Sequence, residues 1–274
     1  MNIAIIGAGY IGNDVAAQWT KKGHNVTITT RNMDKLADLS RLAQKCVMLK
    51  DNDISELYSL ILNNDVILVT ISSDIPDEFE ETYLETANAI RRIALDRTPP
   101  RRLIYTSSTM VYGDYRGLWV DEKSKLKNKT EQGLAMTETE HVFLSLEELG
   151  WHVCILRLAE IYGPWRELSQ RLRSLQGQTL PGSGKNFSNM VHRADATAVI
   201  DFALKRRLVG IYNVADDDHP TRQDLYEQIS QKLGLPAIHW DQKSGNWRGG
   251  NKRISNHKIK AKGFTFQYPH RLID

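Results

Sequence analysis

Gly7-Ala8-Gly9-Tyr10-Ile11-Gly12 follows a short β-rich run, Asn2–Ile6, and opens a helical stretch over Gly12 to Lys22 with Val15, Ala16 and Trp19 on one face. A second β-rich run, Asn25–Thr30, comes next, after Gly23 as a helix stop. Strand, glycine turn, helix and strand in that order require a parallel βαβ unit, and this context is what makes the glycine spacing informative. In such a unit the first glycine permits the tight turn and the second lets the backbone approach a pyrophosphate. The third lets helix and strand pack closely. N–H groups at the helix start, near Tyr10 and Ile11, then face the anion with the helix dipole behind them.

The second strand ends Ile28-Thr29-Thr30-Arg31-Asn32. A site selective for NAD carries Asp or Glu there, about 20 residues beyond the fingerprint, to bind the ribose hydroxyls. Here Thr30 and Asn32 are neutral and Arg31 is a guanidinium suited to a phosphate, so NADP is expected in preference to NAD.

Further β-rich runs at Cys46–Leu49, Asp65–Ile71, Arg102–Ser107, His152–Leu158 and Ile211–Val214 alternate with helical stretches at Ile54–Leu62, Glu78–Leu95, Thr130–Leu149 and Ala194–Lys205. The alternation predicts an α/β fold, a doubly wound parallel sheet (Rossmann fold) with a small C-terminal substrate lobe. Residues 1–162 form the dinucleotide-binding domain, to which 190–216 return; 163–189 and 217–274 form the smaller lobe. The active site is expected at the carboxyl ends of the strands, between the two. Gly113–Asn128 and Gln176–Asn189 read as loops, and the polar last 40 or so residues lack strand periodicity. Thr221, after Pro220, begins a helix with a capping box in which Asp224 replaces the usual Glu.

A net charge of +3 from 36 basic and 33 acidic residues is too balanced for a nucleic-acid partner. Arg91-Arg92, Arg101-Arg102 and Arg206-Arg207 read as solvated edges. No window has the apolar length of a membrane span, and no signal peptide precedes Gly7. Cys46 and Cys154, in apolar runs, read as buried free thiols of a reducing compartment, so a cytoplasmic protein is expected. Asp216-Asp217-Asp218-His219 precedes a helix N-terminus, which favours acidic residues without a metal, and no metal site is expected. Gly182-Ser183-Gly184-Lys185 lacks the spacing of a phosphate P-loop and reads as a mobile loop over the substrate. Trp240 and Trp247 suit either a pocket wall or the core of the small lobe.

Thr106-Ser107-Ser108-Thr109-Met110-Val111-Tyr112-Gly113 resembles the Ser-Ser-x-x-Val-Tyr-Gly stretch of the extended short-chain dehydrogenase/reductases, the NAD-dependent epimerase/dehydratase group. Leu156 to Pro164 (Leu-Arg-Leu-Ala-Glu-Ile-Tyr-Gly-Pro) and Asn189 to Asp195 resemble their next two signatures. Tyr212 to Asp217 and Asn251 to Asn256 match the C-terminal pattern of an atypical branch. The resemblance covers the whole chain in order. It implies that Ser108, with Thr109 beside it, hydrogen-bonds the reacting oxygen near the nicotinamide. Ala159 and Ile161 line the nicotinamide side, and Thr70 and Ser107 complete the cofactor set. His192 and Asp195 belong to the segment joining the lobes. A small hydroxyl- or carbonyl-bearing or sugar-like substrate is implied, and a homodimer through Thr130–Leu149.

One element of the resemblance is missing. The family's proton donor is a Tyr followed four residues later by a Lys, and no Tyr-x-x-x-Lys occurs in this chain. Alignment on Glu140 puts Gln132 and Met136 at those positions, and neither exchanges a proton at neutral pH. Substitutes are Ser108 or Thr109 through water, Tyr112, or Tyr162 or His192 from the smaller lobe. Two functions follow: an NADP-dependent oxidoreductase or epimerase, or a cofactor-binding sensor or partner-binding protein whose catalytic machinery has decayed.

Overall fold

The computed structural model describes residues 1–50, 53–73, 75, 78–96, 99, 101–243 and 250–273. Its elements in chain order are β1 (Asn2–Ile6), α1 (Gly12–Lys21), β2 (Asn25–Thr30), α2 (Leu36–Leu39), β3 (Lys45–Met48), α3 (Ile54–Asn63), β4 (Val66–Val69), α4 (Thr86–Leu95) and β5 (Arg102–Ser108). They continue with β6 (Trp119–Val120), α5 (Glu131–Ser145), β7 (His152–Leu158), β8 (Glu160–Tyr162), α6 (Leu168–Ser174), β9 (Thr179–Pro181), β10 (Met190–His192) and α7 (Arg193–Lys205). The last are β11 (Gly210–Val214), α8 (Arg222–Leu233), β12 (His239–Asp241), β13 (Arg253–Ile254) and α9 (His257–Ala261).

Seven strands form one sheet in the order β11-β7-β5-β4-β1-β2-β3. β1 pairs in parallel with both β2 and β4, so the winding reverses at that point. This is the doubly wound Rossmann arrangement that the alternating pattern predicts. Strands covered on both faces need unbroken apolar runs, and Val66–Val69 is buried throughout. The expected strands are all present, with Asn2–Ile6, Asn25–Thr30 and His152–Leu158 unchanged in their bounds.

The differences have local causes. The stretch from Glu78 does not run as one α-helix: a π-helical turn, Glu80–Glu85, precedes α4. Such a turn packs an extra residue into the helix and occurs often at functional sites. Cys154 is buried, but Cys46 is only half-buried, because β3 is an edge strand with a neighbour on one side. The two segments read as loops contain β6 and β9, and the polar C-terminal region contains β12, β13 and α9. β6 pairs with β13 and β9 with β12, partners distant in the chain, so neither strand has a local signal. Trp247 lies outside the described residues.

The chain divides into two compact units. The first comprises Met1–Ser107, Glu131–Leu156 and Val199–Ile211; the second comprises Ser108–Thr130, Arg157–Ala198 and Tyr212–Asp274. In the first, Ala4, Ile67, Leu103 and Val153 of the sheet pack with Leu57 and Ile61 of α3, Ile90 of α4 and Phe143 of α5. Each such fully buried large side chain contributes about 1.5–3 kcal/mol. α1 buries Val15, Ala16 and Trp19, and the Trp19 indole donates to Asp201 of α7 at 3.0 Å. Burial alone would raise the Asp201 pKa, but hydrogen bonds from Lys205, Lys22 and Trp19 hold it below the usual carboxylate value. The second unit has its own core, in which Leu168 and Leu172 of α6 meet Leu225, Tyr226 and Ile229 of α8. Among the described residues, no helix is long and apolar enough to cross a membrane.

Candidate functional site

The first unit contains a cavity of about 410 Å³ at the carboxyl ends of β1, β2 and β4, where the winding reverses. Its floor is the glycine turn. Gly7 has φ +115, and a Cβ there would stand 2.5 Å from the Thr70 carbonyl oxygen. A Cβ on Gly12 would stand 2.0 Å from the Gly7 carbonyl oxygen, so this glycine is required for α1 to leave the strand so closely. At Gly9 an added Cβ meets nothing within 4 Å. That open space beside the backbone is where a pyrophosphate would lie. Ile11, the residue before α1, supplies no side-chain cap, which leaves the N-terminus of the helix suited to an anion.

The rim is built by the end of β2. Thr30 Oγ1 accepts the Asn32 N–H at 3.1 Å, and Asn32 Oδ1 accepts the Asp34 N–H at 2.8 Å. This turns the chain into a 3-10 turn, Met33–Lys35, and brings Lys35 to the cavity beside Arg31. Both cations are exposed. Thr70, buried at the end of β4, faces the same cavity, as do Glu81, Thr82 and Thr86 from the π-turn and α4. Arg31 is the cation the sequence points to; Lys35 carries no local signal, because it reaches the cavity only through the turn that Asn32 caps. Glu81 likewise has no local signal, because its position depends on the π-turn. The residues lining the cavity thus fit a dinucleotide: a glycine cradle, an uncapped helix start and two cations at the rim.

Tyr10 and Ile11 sit in the turn itself, half-buried and buried. Ser107, also in the first unit, is buried at the end of β5, and its hydroxyl donates to Glu140 Oε1 at 2.6 Å. Gln132 and Met136 lie one turn apart on α5, the first half-buried and the second buried. Neither brings a titratable group.

The second unit holds the remaining candidates. Ser108 is half-buried and caps the 3-10 turn Thr109–Tyr112: its Oγ accepts the Met110 N–H at 3.2 Å. Its own proton has no acceptor among the described residues and is available to an incoming oxygen. Thr109 is buried. Tyr112 is fully buried; its hydroxyl donates to Asn213 Oδ1 at 2.7 Å and accepts from Arg157 at 2.9 Å. Burial pushes its pKa up to about 12, with Arg157 only partly offsetting this. With both hydrogen-bonding functions engaged, Tyr112 is poorly suited to exchange a proton at neutral pH.

Tyr162 is in a similar position. Its hydroxyl accepts the Leu272 N–H at 3.2 Å, and burial raises its pKa to about 12. His192 is packed between two rings, edge-on to Tyr162 at 5.2 Å and against Tyr268 at 3.8 Å. Its Nδ1 accepts the Ala194 N–H at 3.2 Å, which puts the proton of the neutral ring on Nε2. Ala159 is buried, with its N–H on the Val214 carbonyl at 2.9 Å, and Ile161 is half-buried. Asp195 accepts the backbone N–H groups of Gln267 and Tyr268 at 2.7 and 2.9 Å, a structural tie within this unit.

Two expectations in this unit need correction. The acidic run does not act as the cap of α8; Thr221 and Asp224 form that capping box themselves. Asp216 instead pairs with Arg271 at 3.0 Å, Asp217 with Lys260, and Asp218 with His270 at 2.9 Å. The glycine loop at Gly182–Lys185 is pinned rather than mobile, because Gly184 lies under the Trp240 ring and its carbonyl accepts the Gln223 N–H. Trp240 also stacks on Tyr226 at 5.9 Å, which makes it part of the core. Lys252 is buried and donates to the Gly113 carbonyl at 3.1 Å, fixing the loop that follows Ser108, a role with no local sequence signal. Burial lowers its pKa to about 8.

Comparison with known proteins places this geometry in context. The profile of the NAD dependent epimerase/dehydratase family matches residues 3–215. Protein YeeZ of Escherichia coli K12 is 30% identical over 277 residues, covering 99% of this chain and 97% of that protein. A functionally unknown conserved protein from Silicibacter pomeroyi superposes with a TM-score of 0.81 at 25% identity, covering 98% of this chain and 94% of that one. A dTDP-glucose 4,6-dehydratase from Bacillus anthracis, solved in complex with NAD, superposes with a TM-score of 0.81 at 21% identity, over 98% and 92% of the two chains.

Proposed function

Because this chain belongs to the NAD-dependent epimerase/dehydratase family, we propose that it binds NADP in the cavity of its first unit and acts as an oxidoreductase or epimerase on a small hydroxyl- or carbonyl-bearing compound. The observation that carries the reading is the cavity rim, where Arg31 and Lys35 stand together and no carboxylate occupies the end of β2. The extra phosphate of NADP matches two cations, whereas the corresponding ribose hydroxyl of NAD is uncharged.

When bound, the nicotinamide would supply the hydride chemistry. The chain's own part is positional: Ser108, held by the Met110 N–H, would donate its hydroxyl proton to the substrate oxygen and fix its direction. The substrate would be carried by the smaller lobe, residues 163–189 and 217–274, and the cofactor by residues 1–162 with 190–216. Incubating the protein with NADPH and a panel of carbonyl compounds, while following nicotinamide absorbance, tests the reading. Turnover that is lost in Ser108→Ala with NADPH affinity unchanged supports it.

A second reading is favoured by one specific observation. Gln132 and Met136 replace the Tyr-Lys pair, while the hydroxyls of Tyr112 and Tyr162 are engaged and stay protonated. On that reading the protein is a cofactor-dependent sensor or partner-binding protein. Tight NADPH binding without turnover on any member of the panel would select it.

A further inference from the structure

A second cavity, of about 450 Å³, lies wholly in the second unit, between the strands β8 and β10 and the helix α6. Its volume is in the range of ordinary small-molecule pockets. The chemistry of its wall is distinctive. Trp165 stands at its edge, 76% exposed and with a backbone φ of +65, a left-handed conformation rare for any residue but glycine. Glu167 maintains that conformation by accepting the Trp165 N–H at 2.9 Å, and the Arg193 guanidinium lies 5.1 Å from the ring centroid. A large apolar ring held out into solvent by a strained turn is a feature that folding alone does not favour.

The charged and amide residues of the wall are Glu160, Arg166, Glu167, Gln170 and Arg171, with the Ser174 hydroxyl beside them. Their formal charges cancel, and Arg171 is already paired with Glu160. A pyrophosphate needs an excess of cations or a cradle of backbone N–H groups, and this wall provides neither in excess of its carboxylates. What it does provide is a flat aromatic surface for the C–H face of a ring, beside planar side chains that donate and accept in pairs. Those groups match the alternating hydroxyls of a sugar.

We propose that this cavity is a binding site for the ring of a phosphate-free sugar or polyol, with Trp165 as the platform and Glu160 excluding nucleotide sugars. As a substrate site it rests on the enzymatic reading above; as a binding site it stands alone.

Saturation-transfer NMR on the full chain can test it, with glucose, galactose, N-acetylglucosamine and inositol as probes and UDP-glucose as the competitor. At least one phosphate-free probe is expected to bind, and its signal to disappear in Trp165→Gly, a substitution that the φ of +65 favours and that should therefore fold. UDP-glucose is expected to bind weakly to the wild type and at least about tenfold more tightly to Glu160→Gln, which removes the carboxylate charge beside Arg171. The proposal is overturned if no phosphate-free probe binds, if binding survives Trp165→Gly, or if UDP-glucose binds the wild type and Glu160→Gln alike. NADPH titration of the same preparations reports separately on the first cavity, so a failure there leaves the sugar result readable.

Discussion

A methyl group on Gly12 would meet the backbone oxygen of Gly7, and no flexible side chain is there to yield; on Gly9 it would meet only open space. The two positions should therefore fail differently. Gly12→Ala is expected to lower the melting temperature and abolish NADPH binding, whereas Gly9→Ala should keep the melting temperature and lose affinity alone, by roughly tenfold or more. Calorimetry beside a cofactor titration distinguishes them. At the rim, Arg31→Ala and Lys35→Ala should each weaken NADPH by about tenfold and leave NADH within about twofold, since only the former carries the extra phosphate. Equal losses for both cofactors would show that these cations contact something else. The glycine turn was legible because its logic is local: six consecutive residues between a strand and a helix. Lys35 was not, because its place depends on Asn32 capping a 3-10 turn. The true settings of Tyr112 and Asp216 were hidden for another reason: their partners Asn213 and Arg271 lie far along the chain.

At the scale of elements, α8 begins with a capping box that the sequence made visible, and the structure contains both reciprocal hydrogen bonds. Thr221→Ala is expected to cost about 1 kcal/mol, a fall of about 2–4 °C in melting temperature. Arg271→Ala should cost more, about 3–5 kcal/mol, because it leaves the Asp216 carboxyl buried without its partner. The turn leading into α8 also gives a pH dependence. Burial, followed by the nearby Arg271, lowers the His219 pKa to about 4, and its ring lies edge-on to Trp119 at 4.7 Å. A group whose folded pKa is depressed contributes stability above its unfolded value and loses it as pH falls through the folded one. The His219 contribution is therefore complete above about pH 6.5 and lost toward pH 4. Asp216, whose pKa burial raises to about 7, acts in the opposite sense over much of the same window. The test is thus a difference: His219→Gln should lose less stability than the wild type between pH 6.5 and pH 4 in urea titrations. Parallel curves would contradict the assignment.

Across the whole molecule, the alternation of apolar runs and amphipathic helices was enough to fix a doubly wound sheet, because each strand of a parallel sheet needs a crossover helix before the next. The second unit was harder to read. Its strands are two or three residues long and pair across long intervals, as Trp119 with Arg253 and Thr179 with His239, so no period could reveal them. Its charge network was equally opaque, since Asp216 to Asp218 find their partners in residues 260–271. Function divides along the same line. The first unit explains cofactor binding from local sequence, while the chemistry depends on Ser108 and on a second unit whose arrangement is long-range. Isothermal titration of the wild-type chain with NADPH and with NADH tests the central claim most directly. The account predicts saturable one-to-one binding of NADPH, at least about tenfold tighter than NADH. Equal affinities, tighter binding of NADH, or no binding of either would contradict it.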